Sequence, residues 1–259
     1  MLEPNMPLSL SRDNGIATVA LVRPDTFNVL NVAMLDALEN VLLDLGRDQT
    51  LRCVIIRGSA RAFSAGADLK ELRALPSNDA FSYARRGQAI LEMMEGLPVP
   101  SIAQINGIAL GGGCELALAA TFRVASATAL IGLPELSLGL IPGFGGTQRL
   151  QRLVGKQAAR RMILLSERLN ADAALEIGLV DRVASPETLS DVCMTMAEKI
   201  ARGSRSALAA VTCCLGPGAA LQHEEGFRLE AEQFAQVFDT PDRVEGLSAF
   251  FEKRSPRFD

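Results

Sequence analysis

Three consecutive glycines, Gly111-Gly112-Gly113, constrain this chain more than any other stretch. They sit between an apolar run, Ser101 to Ile105, and an alanine- and leucine-rich segment from Cys114 to Ala119. The first reads as a buried strand, Asn106-Gly107 as a turn, and the last as a helix. Glycine loses the most backbone freedom on folding, so ordering three together demands a reason. Either another group approaches that backbone closely or its torsion angles are unusual. A helix start can serve both, because its free amides point outward and its dipole favours negative charge. Glu115 lies two residues past the last of the three glycines. Two readings follow from these residues. The glycines let a small-residue helix pack closely on a sheet, with Glu115 in water. Alternatively, a fixed N–H beside a carboxylate serves chemistry on a carbonyl.

Composition narrows the classes of function. The 259 residues suffice for one large domain or for a core with a smaller appended unit, and 48% hydrophobic content can fill it. No apolar run reaches membrane-spanning length, and Met1 to Ser11 lacks the basic-then-apolar order of a signal peptide. A net charge of −4 provides no basic face for nucleic acid. Cys53, Cys114, Cys193, Cys213 and Cys214 are scattered, mostly among apolar residues, and read as core thiols of a reducing, cytoplasmic compartment rather than as disulfides or a metal site. The one histidine, His223, lies in a polar helical stretch far from the glycines. Acid–base chemistry therefore falls to carboxylates.

The chain opens with a hairpin, Leu8 to Ser11 with Ile16 to Val22, turned at Asp13-Asn14-Gly15. Asn31 is placed to cap a helix with Met34, Leu38, Val41 and Leu45 on one face, stopped by Gly46. Cys53 to Ile56 reads as a buried strand. Ala62-Phe63-Ser64-Ala65-Gly66-Ala67-Asp68-Leu69-Lys70 then repeats the pattern of the central stretch: small residues lead from a strand into a short helix. Lys70 there is either a solvated helix charge or a ligand contact. A helix is expected from Asp79 to Gly96 with Phe81, Ile90, Leu91 and Met94 inward. Beyond the central helix, Phe122 to Ala125 and Leu130-Ile131 read as strands. Glu135 follows in an apolar stretch, either exposed at a turn or partly desolvated with a raised pKa. Pro142-Gly143-Phe144-Gly145-Gly146-Thr147-Gln148-Arg149-Leu150 is a third glycine-rich loop entering a helix. Helices are expected over Lys156 to Leu165, Ala171 to Ile177, Pro186 to Arg202, Ser204 to Leu215 and Ala219 to Phe238, with a strand over Leu179 to Val183. Thr240-Pro241 reads as cap and first turn of a last helix reaching about Lys253. From about residue 200 the pattern is helical only.

Three such loops in this order and spacing, together with Leu21-Val22-Arg23-Pro24, Asn28 and the closing Glu252-Lys253-Arg254-Ser255-Pro256-Arg257-Phe258, resemble the enoyl-CoA hydratase/isomerase family, the crotonase superfamily. The resemblance runs over nearly the whole chain. It implies an α/β fold: a right-handed spiral of strand-strand-helix turns over residues 1–200, carrying the active site, and a helical region over 201–259 for trimerisation and ligand contact. It also implies that the amides of Ala67 and Gly112 form an oxyanion hole for a thioester carbonyl. Ser64, Ala65, Gly66, Asp68 and Leu69 then border the coenzyme A moiety, Lys70 is placed for its phosphates, and Gly143 belongs to the substrate-binding positions. Phe250 and Lys253 match positions that reach the coenzyme A of a neighbouring subunit. Asp25 departs from the pattern, standing where many members carry a basic residue near those phosphates.

Within the family, hydratases resemble this chain in carrying glutamates at the positions of Glu115 and Glu135, whereas single-base isomerases usually keep only the latter. The resemblance therefore implies hydration of a trans-2-enoyl-CoA to a 3-hydroxyacyl-CoA. An isomerase or another acyl-CoA lyase of the superfamily is the alternative, and an RNA-binding relative is the non-enzymatic one. Glu115, at a helix start, is expected to stay ionised more readily than Glu135. No metal or redox cofactor is implied, coenzyme A being part of the substrate. The implied assembly is a homotrimer or a dimer of trimers, with neither nucleic acid nor membrane as partner.

Overall fold

The computed structural model describes residues 6–59, 61–216 and 221–258. Its framework is a sequence of strands that alternate between two sheets. Strands β1 (Leu8–Asp13) and β2 (Ile16–Leu21) form the expected antiparallel hairpin. Helix α1 (Val32–Arg47) follows, capped by the Asn31 side chain, which accepts from the Met34 amide at 3.0 Å. Gly46 lies inside α1 and does not stop it; the C-cap is Asp48. The chain then gives β3 (Cys53–Arg57) to the first sheet and β4 (Ala62–Ser64) to the second, and passes through α2 (Leu69–Ala74) and α3 (Ala80–Glu95).

That turn repeats. Strand β5 (Ser101–Ile105) joins the first sheet, β6 (Ile108–Leu110) the second, and α4 (Gly112–Leu118) follows. Next come β7 (Phe122–Ser126), β8 (Leu130–Gly132) and α5 (Gly146–Leu164) in the same order. Strand β9 (Arg168–Asn170), helix α6 (Ala171–Glu176), strand β10 (Arg182–Ala184) and helix α7 (Leu189–Ala201) close the core. The first sheet runs β1-β2-β3-β5-β7-β10, parallel except at its hairpin, and the second runs β4-β6-β8-β9, antiparallel only at β8/β9. This is the α/β spiral of strand-strand-helix turns expected from the sequence. Helices α8 (Arg205–Leu215), α9 (His223–Phe238) and α10 (Pro241–Phe251) complete the chain. The Ser204 hydroxyl, which caps α8, also donates to Asp242 Oδ2 of α10 at 2.6 Å.

Period-two alternation explains why β3 reads as an unbroken apolar run. Val54 and Ile56 point into the main core, with Phe63, Ala109 and Ile131 of the second sheet, while Cys53 and Ile55 point the other way, against Leu189, Cys193 and Ala197 of α7. A parallel strand covered on both faces needs no polar side.

Several expectations are corrected. Phe81 is 78% exposed, not inward. It stands nine helical positions from buried Ile90, which turns it about 180° away at 3.6 residues per turn. Strand β6 intervenes between the Asn106-Gly107 turn and the glycines, and β9 has no counterpart in the sequence reading. Helix α5 is entered at Gly146, as the third loop implied, and its break at Gly155 (φ 78°, ψ 163°) sets off the expected segment from Lys156, which ends at Leu164 rather than Leu165. The strand expected over Leu179 to Val183 is Arg182–Ala184, and α7 starts at Leu189 rather than Pro186. Thr240 makes no side-chain cap; its hydroxyl donates backwards to the Val237 carbonyl at 2.7 Å, and α10 ends at Phe251. The expected helix start at Ala219 lies outside the described residues; the described helix begins at His223. No helix among the described residues is long and apolar enough to cross a membrane.

Candidate active site

The end of β6 and the first turn of α4 are the structural centre of the site. Gly111, the N-cap of α4, has φ 52° and ψ −128°, a conformation that only glycine adopts without strain. Gly113 answers to the other demand, close approach: a Cβ there would stand 2.2 Å from the Ser64 carbonyl oxygen. The central helix is thereby seated directly on the end of β4. A Cβ built on Gly112 would lie 3.4 Å from the Ala67 amide nitrogen, so the backbones of Ala67 and Gly112 run side by side. Ala67 itself is held by a bridge to Leu30, whose amide donates to the Gly66 carbonyl at 2.7 Å. The Ala67 amide donates to no oxygen among the described residues, and Gly112 is the first residue of α4, with no preceding turn to accept its amide.

Asn28 fixes this arrangement from behind. It is fully buried, donates from Nδ2 to the carbonyls of Ala62 (2.9 Å) and Phe63 (3.2 Å), and accepts from the Arg23 amide at 2.8 Å. The turn after β2 is thus tied to β4.

Glu115 is 2% exposed. Its Oε1 accepts from the amides of Phe144 (2.8 Å) and Gly146 (2.7 Å), and no donor reaches its Oε2 among the described residues. Burial pushes its pKa from 4.5 up to about 7; the Gly146 amide opposes that rise, the Glu135 charge adds to it, and the Phe144 amide and Arg149 oppose it. Glu135 opens a 3-10 turn, Glu135–Leu138, with one oxygen 3.1 Å from the Cβ position of Gly111 and with Oε2 buried and unpartnered. Burial raises its pKa as well. The expected order is therefore corrected: both carboxyls are driven toward neutrality, and Glu115 strongly, because desolvation outweighs the helix end at which it sits.

Both glutamates line one cavity of about 980 Å³. Ala65, Gly66, Ala67, Leu69, Gly112 and Gly143 line it too, so the three glycine-rich loops converge there. Its apolar walls include Leu72, Leu75, Ala80, Ala84 and Leu138. Other expected site residues stand apart. Ser64 is buried and does not line the cavity, its hydroxyl accepting from the Gly66 amide at 3.2 Å. Asp68 caps α2, accepting from the Lys70 and Glu71 amides. Lys70 is exposed on α2 and makes no ion pair among the described residues. Phe250, 76% exposed, and Lys253 lie at the end of α10, outside this cavity of the single chain, and Asp25 sits in the 3-10 turn Pro24–Thr26.

Sequence reasoning missed Tyr83, Gln88, Phe144 and Arg149 as parts of the site, although all four line the cavity. Tyr83 packs its ring 5.4 Å from that of Phe144, and burial, with Glu71, Glu115 and Asp68 nearby, pushes its hydroxyl up to about 12. Phe144 stands within the third glycine-rich loop, but nothing linear ties its amide to Glu115, 29 residues away. Among the described residues no cluster of His, Cys, Asp and Glu has a metal-binding arrangement.

The model of the family described as Enoyl-CoA hydratase/isomerase matches residues 11–259. A Bacillus subtilis protein named "Probable enoyl-CoA hydratase" is 41% identical over 97% of this chain and 98% of its own. A Syntrophomonas wolfei "Crotonyl-CoA hydratase" is 36% identical over 96% of each. The crystal structure of an enoyl-CoA hydratase from Bacillus anthracis superposes with a TM-score of 0.94 at 38% identity, covering 97% of this chain and 98% of that one.

Proposed function

The chain belongs to the enoyl-CoA hydratase/isomerase family, and from that premise we propose that it adds water across the double bond of a trans-2-enoyl-CoA. The observation that carries this reading is that two carboxyls, Glu115 in the first turn of α4 and Glu135 against Gly111, line the cavity that also receives the Ala67 and Gly112 backbone. A single base suffices to move a double bond. Adding water needs a second group to hold and activate that water.

In this reading the thioester carbonyl accepts from the Ala67 and Gly112 amides, which stabilise the enolate oxygen as charge develops there. Glu115 Oε2 takes a proton from water while the water oxygen bonds to C3. The electron pair of the double bond passes to C2 and the carbonyl, and C2 takes the proton of the Glu135 carboxyl. Glu115 ends protonated and Glu135 ionised, and proton exchange with solvent restores both. Burial raises both carboxyls, which suits groups that exchange protons; the division of roles rests on Glu115 Oε2 having no donor among the described residues, not on the order of the two pKa values.

The coenzyme A moiety runs along Ala65 to Leu69 and past Gly143, with Lys70 at its phosphates and Phe250 and Lys253 supplied by a neighbouring copy. Exposed Phe227, Phe234, Phe238, Phe250 and Phe251 on α9 and α10 support residues 201–259 as the assembly region of a trimer or dimer of trimers. The buried, unpaired Cys53, Cys114 and Cys193 suit a cytoplasmic enzyme.

The test is a pair of rates on purified Glu115→Ala. Loss of enoyl absorbance with a trans-2-enoyl-CoA reports hydration, and its appearance with a 3-enoyl-CoA reports isomerisation. Hydration is expected to be abolished and isomerisation only slowed. Equal falls in both would put Glu115 on a shared proton route, and an unmutated protein that isomerises but hydrates no chain length would overturn the reading.

A further inference from the structure

The Glu115 carboxyl depends on two amides that belong to an irregular segment, residues 143–146, rather than to its own helix. What holds that segment comes from α3. A Cβ on Gly87 would fall 2.0, 2.3 and 2.5 Å from three ring carbons of Phe144, so the ring lies directly on the bare helix backbone at that position. One residue on, Gln88 Nε2 donates to the Gly143 carbonyl at 2.9 Å. Further along α3, Glu95 pairs with Arg149 at 2.7 Å, and Arg149 donates to the Phe144 carbonyl at 2.6 Å. The far edge of the Phe144 ring reaches α4, 3.3 Å from the Cβ position of Gly112. Phe144 is 3% exposed.

We propose that Gly87 and Gln88 are positioning residues that hold the 143–146 segment against α3, so that its amides stay on Glu115. This rests on the hydratase reading only for its catalytic consequence. The contact itself is a matter of geometry: the segment begins with Gly143, its amides have no helix to align them before Gly146, and two carbonyls in it, those of Gly143 and Phe144, are bound from outside. Loosening it withdraws N–H donors from a buried carboxylate, which raises the pKa of that carboxylate. A rise means that ionised Glu115 appears only at higher pH.

The other charged and titratable groups facing Glu115 are Glu135 from the 3-10 turn, Arg149 from α5, Tyr83 from α3 and Cys114 on α4 itself. A charge-neutral substitution on α3 leaves all of them in place. Gln88→Met removes the donor to Gly143 while keeping a side chain of similar length. Gly87→Ala displaces the Phe144 ring and is also neutral.

The experiment follows the Glu115 carboxyl by carbon-13 NMR in full-length protein labelled at glutamate side chains, with the signal assigned by its loss in Glu115→Gln. In Gln88→Met the midpoint is expected to rise by about half a unit to one unit, as for a carboxylate losing part of its amide donors. In Gly87→Ala, where folded, it rises at least as far. The acid limb of the kcat profile for hydration moves by the same amount. A folded Gln88→Met whose Glu115 midpoint and acid limb both stay at the wild-type values overturns the proposal, as does a folded Gly87→Ala with an unmoved midpoint. Because the NMR midpoint is read without turnover, absence of hydration in the wild type would refute the catalytic reading and still leave the α3 contact to be judged.

Discussion

Replacing Glu115 by Gln should separate activity from stability in a pH-dependent way. The folded carboxyl titrates at about 7 against an ordinary value of 4.5, so the native chain holds this proton more tightly than the unfolded one. By linkage, stability is complete below pH 4.5, falls as pH rises through the window between the two values, and is flat above about 7. At about 1.4 kcal/mol per unit the loss amounts to about 3 kcal/mol. The amide oxygen of the substituted side chain can still accept from the Phe144 and Gly146 amides, so Glu115→Gln removes the buried charge and leaves those bonds. Urea unfolding of wild type and Glu115→Gln is the assay, compared at pH 4.5 and pH 8. The two are expected to be alike at the lower pH, with the variant more stable by about 3 kcal/mol at the higher, or about 6–12 °C in Tm for a chain of this size. Hydration should be lost in the same variant. A stability difference that does not change with pH, or a wild type more stable at pH 8, would refute the claim that desolvation governs Glu115.

Two further substitutions probe the other parts of the site. Glu135→Gln keeps its shape but cannot supply a proton to C2, and kcat for hydration should fall by ~10²–10⁴ while the coenzyme A thioester still binds, as measured by calorimetry. Gly112→Val brings methyl groups into a space already closed by Phe144 Cδ2 at 3.3 Å and by the Ala67 amide and Leu30 at 3.4 Å. A folded Gly112→Val should lose about 3 kcal/mol of transition-state stabilisation, roughly 10² in kcat/KM, and full activity would remove these amides from the mechanism.

Much of this protein is legible in one dimension because the relevant signals are local. Alternation and turn chemistry mark the β1–β2 hairpin, and Asn31 marks the start of α1. The three glycine-rich loops announce where backbone comes close to backbone, and their order along the chain is enough to indicate the family. Local signals also set the limits. Residue type alone puts Phe81 inward, and helical phase turns it outward. Strands β6 and β9, three residues each, are too short to carry a period of their own; pairing with β4 and β8 makes them strands.

Which residues could do chemistry is narrowed along the chain: with a single distant histidine, Glu115 and Glu135 are the candidates, and three consecutive glycines mark a backbone that is closely approached or unusually bent. How those groups behave is settled by folding. The helix start suggests that Glu115 is the more readily ionised carboxyl, but the fold leaves it 2% exposed, and desolvation drives its pKa to about 7. Its two amide donors come from 29 and 31 residues away, and the segment that bears them is held by a helix earlier in the chain. Charge state depends on what excludes water in three dimensions, and no spacing along the chain records that.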